Sequence, residues 1–323
     1  MKKSNIILIL LLSFPVFIFA QKNRYGMKIK QMEDSCTLER YRELSKLVDL
    51  SALPDLCIRY KYVPNKIKSQ DYEACTTESY VFKDYGTRQL KMEVDIPKEG
   101  KGPFPFIIYV HGGGWAGGNL SGYINQSKYL ATRGIAGVRI SYTLRNQGGH
   151  FDQGMQELNE ALEFVKQHAK EWNLDLTRIG YAGGSAGAPL ASLAAMKNGA
   201  KLFIGINGIY DFTDENRGSF PGKSNSYLRD HTTKEKLQEI SAYYNIPKKN
   251  IPAVITFHGT ADPTIPYQQS VNLVEAVKKA GGIAEAKIYP NYTHSFSAKS
   301  SSDKFEEVVI AIYEFASNVF QKK

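Results

Sequence analysis

Cysteine is scarce here, three residues in 323: Cys36, Cys57 and Cys75, all upstream of Ser79 and away from every motif described below. So few sulfurs leave at most one pair and one remainder in an exported chain, and they carry no catalytic role. Long apolar runs are equally few. The clear case, Ile6 to Ala20 behind Met1-Lys2-Lys3, has the charged start and apolar centre of a secretory leader and is short for a membrane span. Cleavage is expected after Ala20, which leaves no stable membrane insertion and implies export to the periplasm or outside the cell. Gln21, not cysteine, follows the run, which argues against a lipoprotein anchor. There is no internal repeat and no low-complexity linker, so solenoids and propellers are excluded. The formal charge is +9, yet the basic residues are interspersed with acids and form no stripe among aromatics, so nucleic acid is not an expected partner.

What the chain does have is Gly183-Gly184-Ser185-Ala186-Gly187, set between the apolar run ending at Ala182 and the helix-forming run Pro189 to Met196. A G-x-S-x-G segment between strand and helix is a sharp turn that only side-chain-free flanks permit, and it pushes the serine hydroxyl into open space. The Ala186 amide then lies at a helix N-terminus, ready to donate to an oxyanion. A second glycine cluster, His111-Gly112-Gly113-Gly114-Trp115, follows the apolar strand Phe104 to Val110. Amides of Gly113 and Gly114 can turn inward beside that of Ala186 and complete an oxyanion hole. Gly112, Gly114 and Gly117 also match a dinucleotide fingerprint. That reading fails on the next strand, Ala136 to Tyr142, which has no acid to hold a ribose. No cofactor and no metal is expected.

Serine alone is too weakly acidic to attack a carbonyl, so a base and an acid should follow in the order acid, then histidine, each at a strand's carboxyl end. The strand Ala253 to Phe257 empties into His258-Gly259-Thr260-Ala261-Asp262, and the strand Ala284 to Tyr289 into Asn291-Tyr292-Thr293-His294. Ser185 is therefore the expected nucleophile, His294 the base and Asp262 the acid. Of the other histidines, His111 and His258 are expected to orient loops, and His150, His168 and His231 fall in a loop, a polar helix and a variable insert. Asp211 is the alternative acid. Trp115, directly after the glycines, and Tyr123 are candidate pocket residues; Trp172, closing an amphipathic helix, is expected in the core.

The combination HGGGW, GGSAG, HGTADP and Tyr-Thr-His-Ser-Phe resembles the α/β-hydrolase superfamily, and is most similar to its hormone-sensitive-lipase-like and bacterial carbohydrate-esterase branches, which include acetyl xylan and feruloyl esterases. The resemblance implies an α/β-hydrolase fold, with a mostly parallel central sheet flanked by helices, and a serine esterase acting through an acyl-enzyme on a small-molecule or oligosaccharide ester. One departure is Gly184, where hormone-sensitive-lipase-like enzymes usually carry an acid before the nucleophile. The prolyl-oligopeptidase-like exopeptidases share the triad order, but the stretch between leader and hydrolase region is too short for their extra domain. A short-chain lipase or esterase on non-carbohydrate esters is the remaining alternative.

The expected organisation is a leader over 1–20, an N-terminal extension over 21–78 that packs on the core, and a catalytic domain over 79–323 with a small cap insert at about 211–250. An edge hairpin turns at Asp84-Tyr85-Gly86, and Met155 to Trp172 shows helical apolar periodicity on Met155, Leu158, Ala161, Leu162, Val165 and Ala169.

Overall fold

The computed structural model describes residues 74–220, 226–297 and 302–321. The leader, Cys36, Cys57 and the N-terminal extension as far as residue 73 lie outside the described residues.

Continuous apolar runs become strands buried on both faces, which is the signature of a parallel sheet covered by helices. All of β3 (Phe104–Val110), β4 (Ala136–Ile140), β6 (Leu202–Ile206) and β7 (Ala253–Gly259) is buried. With β1 (Cys75–Asp84), β2 (Gln89–Pro97), β5 (Leu174–Gly184) and β8 (Ala284–Tyr289) they form one eight-stranded sheet in the order β1-β2-β4-β3-β5-β6-β7-β8. The pairs β1/β2 and β2/β4 are antiparallel and the others parallel. The edge hairpin is present, but β1 begins at Cys75. Residues 75–78, assigned from sequence to the extension, therefore belong to the sheet, where Cys75 lies opposite Pro97 and Thr77 Oγ1 donates to Asp95 Oδ1 at 2.7 Å.

One face of the sheet carries α2 (Phe151–His168), α3 (Gly187–Lys197) and α5 (Gln268–Lys279), whose apolar residues share a core with Phe106, Ile108 and Phe203. The other carries α1 (Ile124–Ala131) and α6 (Phe305–Gln321), packed on Ile107, Ile204 and Phe257. The periodic stripe of α2 buries Leu158, Ala161, Leu162 and Val165. The helix starts four residues earlier than the periodicity suggests and stops at His168, so Trp172 reaches the core from the turn beyond it, 2% exposed. Helix α3 is buried all round from Gly187 to Met196, as its mixture of alanine, leucine and methionine requires.

Among the described residues, the insert between β6 and β7 holds the short helix α4 (Lys234–Glu239) and the 3-10 turns Ser226–Leu228 and Ala242–Tyr244. Phe212 and Tyr227 from it are fully buried, while Tyr244 is exposed. Among the described residues no helix is long and apolar enough to cross a membrane.

The parallel register places successive strand ends side by side. Gly184 lies opposite Ile206, Ile206 opposite Phe257, and His258 opposite Ile288. Loops that leave β5, β6, β7 and β8 therefore meet over one edge of the sheet.

Candidate active site

At the end of β5 the chain turns into α3 through Ser185, whose backbone is left-handed at φ 50. Such a conformation is costly for a residue with a β-carbon and persists only where the surroundings impose it. Two restraints are visible. The Ser185 amide donates to the Ile206 carbonyl at 2.9 Å, and the turn is clamped from both sides by glycines. A β-carbon at Gly187 would stand 2.2 Å from the Val110 carbonyl oxygen, and one at Gly183 would stand 2.6 Å from that of Gly187. Only glycine lets the helix sit this close to β3 and β5.

The serine hydroxyl meets a histidine from the far edge of the sheet. His294, on the loop after β8, places Nε2 2.8 Å from Ser185 Oγ and Nδ1 2.6 Å from Asp262 Oδ2. Asp262, on the loop after β7, is inaccessible to solvent through its side chain. Its Oδ1 accepts from the amides of Thr264 at 2.8 Å and Ile265 at 3.0 Å. Burial pushes this carboxyl's pKa up, but bonds from His258 and His294 and the two amides outweigh it and hold it well below the usual carboxylate value. The three residues selected from sequence thus form one line, with the acid ionised and the imidazole fixed between it and the hydroxyl.

Gly113 and Gly114 line the same pocket as Ser185, both left-handed at φ 114 and φ 62. Their loop is folded on itself by bonds from Ala116 and Gly117 to the Gly113 carbonyl. It also presses on the nucleophile's turn, since a β-carbon at Gly112 would lie 3.2 Å from Ser185 Cβ. Ala186 stands at the N-cap of α3, ahead of the helix's own hydrogen-bond ladder. The two glycines and Ala186 are thus on adjoining segments beside the nucleophile, as an oxyanion hole requires.

Trp115 does not line the pocket. It is fully buried, stacks on Tyr227 at 4.7 Å, and donates through Nε1 to the Ala186 carbonyl at 2.6 Å. The left-handed backbone at φ 59 turns its side chain inward, beneath the glycines. It is therefore a brace between the glycine loop and the serine turn. Trp115→Ala should cost about 3–5 kcal/mol of stability from lost packing. Trp115→Phe should be milder in urea unfolding yet still lower kcat, because the tie to Ala186 is gone. An unchanged kcat in a folded Phe variant would show that the brace does not hold the donors.

Tyr123 does line the pocket. It closes the 3-10 turn Leu120–Tyr123, which Arg139 bolts to the sheet: its guanidinium bonds the Leu120 carbonyl at 2.9 Å and grips buried Asp95 at 2.9 and 3.1 Å. The Tyr123 hydroxyl occupies the space left by Gly184, where a β-carbon would stand 2.4 Å from it. The missing acid before the nucleophile is thus a packing consequence of this tyrosine. The pocket, about 730 Å³, is walled further by Asn119, Ser121, Gln126 and Ser297, and by Phe220 from the insert.

The other histidines serve elsewhere. His111 stacks on Tyr142 at 4.5 Å and bonds the Gly112 carbonyl, with burial holding its pKa down. His168 stacks between Phe164 and Trp172, and His231 bonds Asp152. His258 is buried, with Nε2 2.9 Å from the Ile265 carbonyl and 3.2 Å from Asp262, and Nδ1 2.8 Å from Ser270 Oγ. Asp211, the alternative acid, is committed to its own turn through the Thr213 amide and hydroxyl. Asn207 was missed from sequence: it follows β6, is left-handed at φ 48, and donates from its side chain to the His294 carbonyl. The Asn-Gly pair after an apolar run was the available signal.

The BD-FAE family matches residues 92–220. A probable isoprenylcysteine alpha-carbonyl methylesterase of Arabidopsis thaliana is 25% identical over 67% of the chain and 52% of its own length. An acetyl esterase of Salmonella paratyphi B is 27% identical over 59% of the chain and 64% of its own length. The chain thus spans little more than half to under two thirds of these curated relatives. Among solved structures, the apo form of Thermogutta terrifontis esterase 2 superposes with a TM-score of 0.64 at 25% identity, covering 78% of this chain and 98% of its own. The propionate-bound Est2 of the same organism gives 0.66 at 24% identity, over 78% and 97%.

Proposed function

We propose that this chain, an α/β-hydrolase by its fold, is a serine carboxylic-ester hydrolase that works through an acyl-enzyme and removes short acyl groups, acetyl or feruloyl, from carbohydrate esters. The observation that carries the chemistry is the line from Ser185 Oγ through His294 to ionised Asp262. The relatives named as an acetyl esterase and a methylesterase support the ester bond as the target. Polar side chains set into the otherwise apolar pocket, Asn119, Ser121 and Gln126, offer hydrogen-bond partners to a hydroxylated substrate.

In this mechanism Ser185 Oγ attacks the ester carbonyl while His294 Nε2 takes its proton. The carbonyl oxygen becomes an anion held by the amides of Gly113, Gly114 and Ala186. Each such donor is worth about 3–4 kcal/mol of barrier. His294 returns the proton to the departing alcohol, which leaves an ester on Ser185. Water, deprotonated by His294, then releases the acid and restores the hydroxyl. Export by the leader at 1–20, to periplasm or outside, belongs to the same reading and would bring the enzyme to polysaccharide fragments.

The deciding experiment measures p-nitrophenyl acetate, butyrate and octanoate beside acetylated xylan and methyl ferulate. Turnover should fall from acetate to octanoate by roughly tenfold or more, and acetate or ferulate should be released from the carbohydrate-type substrates. A preference for octanoate would move the reading to a lipase, and no ester turnover by folded protein would end it.

A further inference from the structure

Two residues of the pocket wall carry a buried oxygen with no partner among the described residues. Asn207 is 3% exposed, and its Oδ1 bonds nothing. The orientation of its amide is not arbitrary. The nitrogen faces the His294 carbonyl, which has no proton to give, so the oxygen must be the atom turned away. Ser297, on the same loop as His294, is 1% exposed, and its Oγ likewise bonds nothing. Both residues line the pocket that holds Ser185. Buried polar atoms are nearly always paired, so two in one pocket call for a partner from outside the chain, ordered water or the ligand that displaces it.

An ester group cannot do this for Asn207. Its oxygens only accept, and Oδ1 also only accepts, so the ligand must bring an O–H or N–H. The Ser297 hydroxyl can both give and take, which suits a second hydroxyl. The side of the ester follows from His294. Its Nε2 hands a proton to the departing alkoxy oxygen, and Asn207 and Ser297 flank that histidine through its own carbonyl and loop.

We infer that Asn207 Oδ1 and Ser297 Oγ form a subsite for hydroxyl groups on the alcohol half of the ester, so that the enzyme selects esters of polyols over those of plain alcohols. The inference rests on the esterase reading of Ser185 and His294. Asn207 is also a positioning residue, since the same amide ties the backbone of the base to the end of β6.

The test compares glycerol 1-monoacetate with propyl acetate, which share the acyl group and carbon count and differ in two hydroxyls. Wild type should prefer the glycerol ester in kcat/KM by roughly tenfold or more. Ser297→Ala should cut that ratio about fivefold without lowering Tm, because the hydroxyl it removes holds no bond in the fold. Asn207→Gly keeps the left-handed backbone and removes the amide, so it should bring the ratio near unity and also lower kcat on both esters. Equal rates for the two esters in wild type, or a wild-type ratio retained by both variants, would overturn the subsite. So would a preference for ethyl lactate over ethyl propionate with none for the glycerol ester, which would put the hydroxyl on the acyl half. If wild type cleaves neither acetate nor p-nitrophenyl acetate, the esterase reading itself has failed and the subsite falls with it, a result distinct from the others.

Discussion

Ser185→Ala should reduce kcat on p-nitrophenyl acetate by about 10⁴- to 10⁶-fold, with the folded state intact. Among the described residues no other hydroxyl is bonded to the imidazole of His294, so none of them is a substitute nucleophile in line. The glycine loop and the Ala186 amide would still polarise a bound carbonyl, and the residual rate reports their share. Stability gives a second, independent reading of the same residue. Alanine keeps the β-carbon and therefore the strain of φ 50, so Ser185→Ala should melt near wild type. Ser185→Gly should be as inactive yet more stable by about 1 kcal/mol, because glycine occupies the left-handed region freely. Rates and thermal melts of the two variants separate chemistry from strain. A Ser185→Ala protein with a tenth of wild-type activity would remove the serine from the mechanism.

Asp262→Asn should cost about 10⁴ in kcat while leaving the backbone in place. The reason lies in which atom faces which. The amides of Thr264 and Ile265 hold Oδ1, so asparagine would keep its oxygen there and turn its NH₂ toward His294. His294 Nδ1 must then accept, its proton moves to Nε2, and Ser185 can no longer deliver its own. The carboxyl also carries a pH signature. Its pKa in the fold lies below the unfolded value of about 3.9, so its stabilising contribution is fully present above that value and is lost as pH falls from there through the folded-state value. The stability gap between wild type and Asp262→Asn should be widest above pH of about 5 and close on acidification. Urea titrations across that range check it, and a gap independent of pH would mean that the carboxyl's charge is not what the native state favours.

The strand-end loops were legible because each is announced locally. A glycine-flanked serine between an apolar run and a helix former has few other conformations, and the histidine and aspartate loops follow equally plain strands. The side chain of Trp115 was not legible, because its direction depends on one dihedral, φ 59, that the glycines ahead of it set. The start of β1 was hidden for a related reason: Cys75 to Glu78 has no apolar alternation, and only pairing with β2 makes it a strand. Asn207 escaped because its role is to a carbonyl 87 positions away, and no local pattern records such a bond. The fate of Gly184 could be seen only once Tyr123 stood beside it.

The position of β8 has a consequence for how the enzyme dies. The nucleophile stands at the end of β5, held between β3 and β6, whereas the base hangs from a strand that, among the described residues, is paired on one side only, with β7. Four of the six residues of β8 are only half-buried. Opening of such an edge requires far less than global unfolding. Heat inactivation should therefore run ahead of the main melt, through a partly opened species that keeps its serine turn and glycine loop but has lost its proton acceptor. Amide exchange would show it as early loss of protection in β8 alone, and simultaneous loss across β5 and β8 would refute it. Durability of this catalyst, on that view, is decided at its periphery rather than in its core.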